Sequence, residues 1–364
     1  MRTIPLTPGE PAPWFAARSS NNPRFQFDTV AGRYVVLCFF ESAGAPASRQ
    51  ILDDIFAARE RFDDDRACFF GVSVDPEDER LGRVAQQLPG VRYFWDFDRA
   101  VSRLFGAETQ PADSGTQYRR FTLVLDPRLR AVAMIPFDHP ETHATRLCTL
   151  LDGLPAIGPP APAAVQAPIL VVPRVFEPEF CRELIRIYDR HGGQESGFMR
   201  EVDGKTVQIM DYGHKRRRDQ EITDEQIRQA AMVRINSRLI PEVHKAFQFC
   251  ATRIERYIVA CYESTTGGHF RAHRDNTTKG TAHRRFAVSL NLNTGEYEGG
   301  NLRFPEFGPQ TYTAPAGGAV VFSCSLLHEA TPVTRGRRFA FLPFLYDEEA
   351  AQIRQANSKF VAGG

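Results

Sequence analysis

The sequence predicts two domains of different class, an α/β layered first domain and a strand-rich second domain with supporting helices, and three observations carry that reading. Residues 154–168 sit in the run GLPAIGPPAPAAVQAP, which is rich in proline and poor in charge, so this stretch should be a semi-extended linker between packed units. Before it, over 1–153, buried-type strand signals alternate with stretches of helical spacing. After it, over 169–364, short apolar runs of strand length are punctuated by glycines.

In the first domain YVVLCFF (Tyr34 to Phe40) reads as a buried strand, Ser48 to Phe62 has helical spacing, and CFFGVSV (Cys68 to Val74) reads as a second strand. Asp78 to Gln87 is again helical, and FTLVL (Phe121 to Leu125) is a third strand. In the second domain a strand over Ile169 to Val172 leads into an amphipathic helix through Phe180 to Ile185. Another helix begins at Thr223, whose hydroxyl with Gln226 forms a capping box. Asp203-Gly204 marks a turn, and His214 to Arg218 is a basic run that reads either as a solvated charged loop or as a basic lid. Ala287 to Asn293 and Phe339 to Leu342 alternate as strands, and Gly317-Gly318 breaks into the apolar run Ala319 to Phe322.

The chemistry concentrates in His273, Asp275 and His328. Residues two apart on an extended strand project from the same face, so His273 and Asp275 can reach one ion. A second imidazole from a remote strand would complete a two-histidine, one-carboxylate set that covers one face of an Fe(II) octahedron and leaves the opposite positions open for a cosubstrate and O₂. Taken alone, a His-x-Asp pair carries little weight in a chain with nine histidines, and a surface pair plus a core histidine is the plain alternative.

The surrounding pattern discriminates, and with it the stretch from Pro168 to Tyr346 resembles the Fe(II)/2-oxoglutarate dioxygenases of the prolyl 4-hydroxylase type. The matching positions are Tyr262, the glycines Gly267 and Gly268, His273 with Asp275, Gly299-Gly300, His328, and a basic residue ten positions on, Arg338. The resemblance implies a double-stranded β-helix (jelly roll) with supporting helices, metal ligation by His273, Asp275 and His328, and binding of 2-oxoglutarate by Arg338 and Tyr262. It also implies O₂ as co-reactant, admits ascorbate as reductant, and places a lid over Phe198 to Asp219. A guanidinium fork suits the free carboxylate of a dicarboxylic acid. Arg335 and Arg337 are near enough to contest that role, and Tyr262 reads equally as a half-buried core tyrosine. Asn291 stands where relatives often carry a tyrosine. His269 and His283 flank the motif without a claimed role. The implied reaction hydroxylates an unactivated C–H bond of a prolyl residue, an amino acid or a related small molecule, with release of succinate and CO₂.

Residues 5 to 153 resemble the peroxiredoxin branch of thioredoxin-like folds, through Gly71-Val72-Ser73-Val74-Asp75-Pro76, Trp95-Asp96-Phe97-Asp98 and Phe121-Thr122-Leu123-Val124-Leu125-Asp126-Pro127. Relatives place a peroxide-attacking cysteine after the first long strand and a threonine three residues before it. Here Ser48 and Ala45 occupy those places, and a serine hydroxyl cannot cycle through a sulfenic acid. The domain is therefore expected to be a scaffold or a homodimerisation surface and not a peroxidase, with Arg119 or Arg120 as a structural ion-pair partner. The alternative for the whole protein is a peroxiredoxin-like redox or interaction protein whose metal domain serves binding or sensing.

Composition narrows the rest. A net charge of +1 gives no global drive toward nucleic acid or anionic membranes. Nucleic-acid-demethylating relatives carry an arginine six residues after the distal histidine, where this chain has Thr334. Asp275 also fills the position that halogenating relatives leave vacant for halide. No apolar stretch approaches the roughly 20 residues needed to cross a bilayer, and Met1 to Pro8 lacks a signal-peptide core, so cytoplasm is the expected location. The seven scattered cysteines, with no C-x-x-C pair, read as reduced and buried.

Overall fold

In the computed structural model residues 4–109, 117–159 and 165–361 are described, so 160–164 of the expected linker lie outside the described residues. The chain divides into two compact units, Met1–Ala161 and Pro162–Gly364.

The first unit is built on a five-stranded sheet. Its strands are β1 (Tyr34–Glu41), β2 (Ala67–Ser73), β3 (Val91–Trp95), β4 (Phe121–Leu125) and β5 (Ala131–Pro136), in the order β3-β2-β1-β4-β5. The first three are parallel and the last two antiparallel. β1 is buried along nearly its whole length because both faces are covered, which explains its continuous apolar run. Val35, Leu37 and Phe39 pack on one side with Phe27, Phe70 and Phe105, while Val36, Cys38 and Phe40 pack on the other beneath α1 (Pro46–Phe56) and α4 (Pro140–Asp152), the short α2 (Pro76–Arg80) and α3 (Ala100–Leu104) coming between them in the chain. This is the thioredoxin-like α/β arrangement.

Two helical expectations here are too long. The helix from Ser48 ends at Phe56 and is followed by a single 3₁₀ turn over Arg59–Arg61. Instead of a helix over 78–87 there is one short α2, Pro76–Arg80, capped by Asp75 and followed by a left-handed Gly82. Beyond that turn Arg83 folds back to pair with Asp75 and with the fully buried Asp78, so ion pairing overrides local helical propensity. Ser48 is completely buried in the first turn of α1 and donates to the Phe40 carbonyl. Burial pushes the Cys38 thiol up to about 12, consistent with inert core. Arg119 is exposed, and among the described residues neither it nor Arg120 forms an ion pair, which corrects the expected role. The cysteine expectation fails at Cys250, which is exposed, and at Cys148, which is only partly covered.

The second unit consists of antiparallel strands in two main sheets. The larger contains β6 (Leu170–Val172), β7 (Arg218–Glu221), β8 (Ile258–Glu263), β9 (Phe286–Asn291), β10 (Ala319–Ser323) and β11 (Arg337–Phe341), in the order β6-β10-β9-β11-β8-β7. The smaller runs Lys215–Arg216, His269–His273, His328–Ala330, Leu302–Arg303 and Thr311–Tyr312. Together they form the jelly roll. Period-two alternation sorts the side chains of the larger sheet. Val259, Cys261, Phe339 and Phe341 face a core shared with Leu184, Ile187, Ala231 and Ile235 of the supporting helices α5 (Pro178–His191) and α6 (Glu225–Arg238). Ala260 and Tyr262 belong to a separate cluster with Phe270 and Ala330 of the smaller sheet.

The cap of α6 differs from the expected Thr223 box. Asp224 is the N-cap, its carboxylate accepting from the amides of Gln226 and Ile227 at 2.8 and 3.2 Å, and a carboxylate satisfies those amides while also favouring the positive helix end. Asp203-Gly204 turns the hairpin between Phe198–Val202 and Lys205–Ile209, both residues having positive φ as a tight hairpin turn requires. Among the described residues no helix is long and apolar enough to cross a membrane.

In the first unit His143 is fully buried on α4, its Nδ1 donating to the Pro136 carbonyl and its Nε2 accepting from the Thr122 hydroxyl at 2.8 Å. Burial pushes its pKa down to about 4 from an ordinary 6.5. A lowered histidine means the unfolded polypeptide takes up a proton before the folded one, so stability falls as pH drops from 6.5 toward 4. Thermal unfolding of the full-length protein should show this loss across that window, and His143→Gln should make it less steep. An unchanged slope would show that other groups govern the acid limb.

Candidate metal centre

The ladder of the smaller sheet places the site. His269–His273 pairs antiparallel with His328–Ala330 in a register that sets His273 directly opposite His328, with their ring centroids 4.3 Å apart. A register irregularity between Phe270 and His273 turns the end of the strand. Asp275 lies just past that end, in a turn held by its amide donating to the Cys324 carbonyl at 3.0 Å. The result brings His273, Asp275 and His328 together, with one donor atom from each lying within 4.8 Å of the others.

Both imidazoles are oriented from behind. His273 Nδ1 is 2.7 Å from the Arg271 carbonyl and His328 Nδ1 is 3.0 Å from the Leu326 carbonyl. A carbonyl can only accept, so each Nδ1 carries the proton and each Nε2 lone pair faces the shared space. His273 Nε2 is 3.6 Å and His328 Nε2 3.3 Å from the Asp275 carboxylate. Phe270 stacks on His273 at 3.5 Å, and Phe322 lies 4.5 Å from His328, fixing both rings. Burial pushes His273 down to about 4, keeping it neutral and available as a ligand. Burial alone would raise the Asp275 carboxyl, yet the facing His328 and His273 outweigh it and hold it well below the usual carboxylate range. Two imidazole nitrogens and a carboxylate on one side of a cavity form a donor set that fits ferrous iron.

The triad opens into a cavity of about 510 Å³, within the range of small-molecule sites. Arg338 is buried in it, donating to the Ser289 hydroxyl at 2.7 Å and to the side-chain Oδ1 of Asn291 at 3.1 Å, while among the described residues its Nε has no hydrogen-bond partner. Alternation along β11 turns Arg337 outward to pair with Asp189, and Arg335 is on the surface with Glu298. Tyr262, opposite Arg338 in the ladder, is buried. Its ring lies 5.1 Å from the Arg338 guanidinium and its hydroxyl accepts from Arg217 at 3.4 Å. Asn291 is thus the positioner of Arg338, its own amide nitrogen anchored to Thr313 and to the Ala314 carbonyl.

Two glycines of the motif have steric causes. A Cβ on Gly300, at φ +66°, would sit 2.9 Å from Arg338 Cδ, and one on Gly268 would sit 2.5 Å from the Glu263 backbone nitrogen. His283 and His269 are not part of the triad. His283 pairs with Glu255 at 2.8 Å, and His269 Nδ1 lies 2.7 Å from the Gly267 carbonyl.

The basic run is neither a solvated loop nor a free lid. Lys215–Arg216 joins the edge of the smaller sheet against Phe270 and His269, and Arg218 opens β7. Alternation therefore buries Lys215 and Arg217 in the cavity lining and leaves Arg216 and Arg218 exposed. The cavity wall expected from a lid is supplied by the 198–209 hairpin, through Phe198, Met199, Arg200, Glu201 and Gln208. Sequence reasoning missed Ser289, Arg256 and Phe270 as lining residues. Only Ser289 left a signal, as a polar residue on the alternating β9 run.

Comparison with known proteins gives two separate matches. Residues 257–346 match the sequence model of the 2OG-Fe(II) oxygenase superfamily, and residues 8–132 match that of the AhpC/TSA family. A PKHD-type hydroxylase of Pseudomonas fluorescens is 40% identical over 91 residues, 23% of this chain and 39% of that protein. One from a Synechococcus strain is 33% identical over 93 residues, 24% of this chain and 41% of that protein. The match spans about two fifths of the length of these relatives. Among solved structures, a Pseudomonas putida prolyl-4-hydroxylase shares 19% identity, covering 50% of this chain and 92% of that one with a TM-score of 0.37. The C48S mutant of Xanthomonas campestris peroxiredoxin Q shares 22%, covering 42% and 98% with a TM-score of 0.34.

Asn291→Ala removes one anchor of the Arg338 head, and a hydrogen bond to a charged group is worth about 1.5–3 kcal/mol. The expected outcome is a Kd for 2-oxoglutarate roughly tenfold higher by calorimetry, with divalent-metal affinity unchanged. An unchanged Kd would show that Arg338 is positioned without it.

Proposed function

We propose that the second unit is an Fe(II)- and 2-oxoglutarate-dependent oxygenase, which hydroxylates an unactivated C–H bond of an amino acid, a prolyl residue or a related small molecule. The observation that carries this reading is the convergence of His273 Nε2, His328 Nε2 and the Asp275 carboxylate on one side of a cavity that also holds the Arg338 guanidinium. His273, Asp275 and His328 would hold the ion, which when bound with 2-oxoglutarate supplies O₂ activation and the oxidising equivalents. In balance, substrate C–H, O₂ and 2-oxoglutarate become substrate C–OH, succinate and CO₂.

The protein's own residues supply position and exclusion of water. Arg338 grips the distal carboxylate of the cosubstrate, held by Ser289 and Asn291, and Tyr262 covers its guanidinium with a ring face. Phe270, Phe322 and Leu302 line the cavity and give it an apolar wall. Turnover could draw on ascorbate as reductant, as in the enzymes this domain resembles. Ser48 in place of a thiol, with Cys38 sealed in the core, supports a non-peroxidase role for the first unit as scaffold or dimerisation surface.

The direct test is succinate release from 2-oxoglutarate by the iron-loaded full-length protein, with cell extract supplying substrates and mass spectrometry searching for products heavier by one oxygen. Wild type should release succinate and form such a product, and His273→Ala should do neither. Arg338→Gln should raise the KM for 2-oxoglutarate roughly a hundredfold, as expected for truncating a buried charged partner. Metal binding without succinate release would favour a binding or sensing role. Hydroperoxide consumption without iron would return the protein to thiol chemistry.

A further inference from the structure

The cavity holds more positive charge than the proposed reaction uses. Most of its lining cations are matched: Arg217 is gripped by both Asp219 oxygens at 2.6 Å, Arg284 pairs with Glu255 at 2.6 Å, and Arg274 with Glu306 at 2.7 Å. Arg338 faces the proposed cosubstrate. Besides Arg200, which is exposed and lies over the Phe198 ring, two others have no carboxylate partner among the described residues. Lys215 is buried, and its ammonium reaches only the Ser196 hydroxyl at 2.8 Å and the Gly197 carbonyl at 2.5 Å. Arg256 lies over the Phe344 ring at 4.3 Å and donates to the Leu342 carbonyl at 3.3 Å, while among the described residues its enclosed Nε has no hydrogen-bond partner.

Both flank the triad. The Lys215 ammonium lies 4.9 Å from the centroid of Phe270, the ring that stacks on His273. Arg256 shares the Phe344 ring with Arg284, whose Nη1 donates to the Asp275 carbonyl at 3.4 Å. Burial pushes the Lys215 ammonium down to about 6 and the Arg256 guanidinium to about 10, in each case with neighbouring arginines adding to the effect. An unmatched guanidinium in such a place destabilises the fold, and an unmatched ammonium gives up its proton near neutral pH, unless an oxyanion answers them. Arg256 lines the cavity, and a guanidinium there without a carboxylate partner is a fork for an oxyanion.

We infer that the substrate is a small acid whose oxyanion, a carboxylate or a phosphate, is bound by Arg256 and Lys215 beside the triad. This rests on the oxygenase reading and narrows it. A prolyl residue inside a polypeptide presents only neutral amides at that distance, whereas a free acid or the terminal carboxylate of a peptide presents the required charge. Arg256 and Lys215 are then the specificity-determining residues, separate from the Arg338 cosubstrate site.

Thermal unfolding of the full-length protein saturated with Mn(II) and 2-oxoglutarate tests it, with sodium acetate, inorganic phosphate or acetamide added at constant ionic strength. At least one oxyanion should raise Tm by about 3 °C once in tenfold excess over its Kd, and acetamide should not. The larger response tells carboxylate from phosphate. Arg256→Gln and Lys215→Met should abolish the shift, Arg256→Lys should retain part of it, and Arg338→Gln should leave it intact. Without added ligand, the first two variants should be at least as stable as wild type, where a structural role would lower Tm. No oxyanion shift, a shift that survives in Arg256→Gln and Lys215→Met, or one lost only in Arg338→Gln would overturn the inference. Failure of the oxygenase reading would appear separately, as no Mn(II)-dependent or 2-oxoglutarate-dependent rise in Tm.

Discussion

The antiparallel pairing that sets His273 across from His328 is the constraint on which the rest of the site depends. Cross-strand neighbours in such a ladder have fixed separation and share a face, so backbone hydrogen bonds bring together two imidazoles that are far apart in sequence. A slip of one residue would carry His328 to the other face and destroy the donor set. The carbonyls of Arg271 and Leu326 then select the tautomer, and the packed rings of Phe270 and Phe322 hold the orientation. Asp275 needs only a turn to reach the same space.

The same logic extends to the larger sheet. Tyr262 and Arg338 face one another across the β8–β11 ladder, and Ser289 and Asn291 from β9 reach the Arg338 head. The bare Cα of Gly300 leaves the space that the arginine stem occupies. Strand alternation thus does two jobs at once, sending Phe339 and Phe341 into the helix-covered core while Arg338 enters the cavity.

Much of this organisation is legible in the residues themselves. Period-two patterns mark β9 and β11 and put Arg337 and Arg338 on opposite faces, and the proline-rich run marks a change of unit. What escaped depends on tertiary partners. A run of five basic residues looks solvated in one dimension, yet pairing against His269 and Phe270 turns Lys215 and Arg217 inward. Asn291 looks like the loss of a cosubstrate ligand until its carbonyl oxygen is seen holding Arg338. Arg256 precedes its strand in a left-handed conformation that no local signal announces. The helical spacing over 78–87 is real, but a buried Asp78 and its Arg83 partner are satisfied by a turn instead. The first unit packs apolar side chains on both faces of its sheet and buries Ser48 against the Phe40 carbonyl at the start of α1.

The account stands most directly on where a metal goes. A crystal structure of the protein grown anaerobically with Fe(II) should show one ion per molecule in this unit, bound by His273 Nε2, His328 Nε2 and an Asp275 oxygen at about 2.0–2.2 Å, with its remaining positions facing the Arg338 cavity. An ion elsewhere, or histidines whose Nε2 atoms turn away from a shared centre in the presence of excess iron, would contradict it.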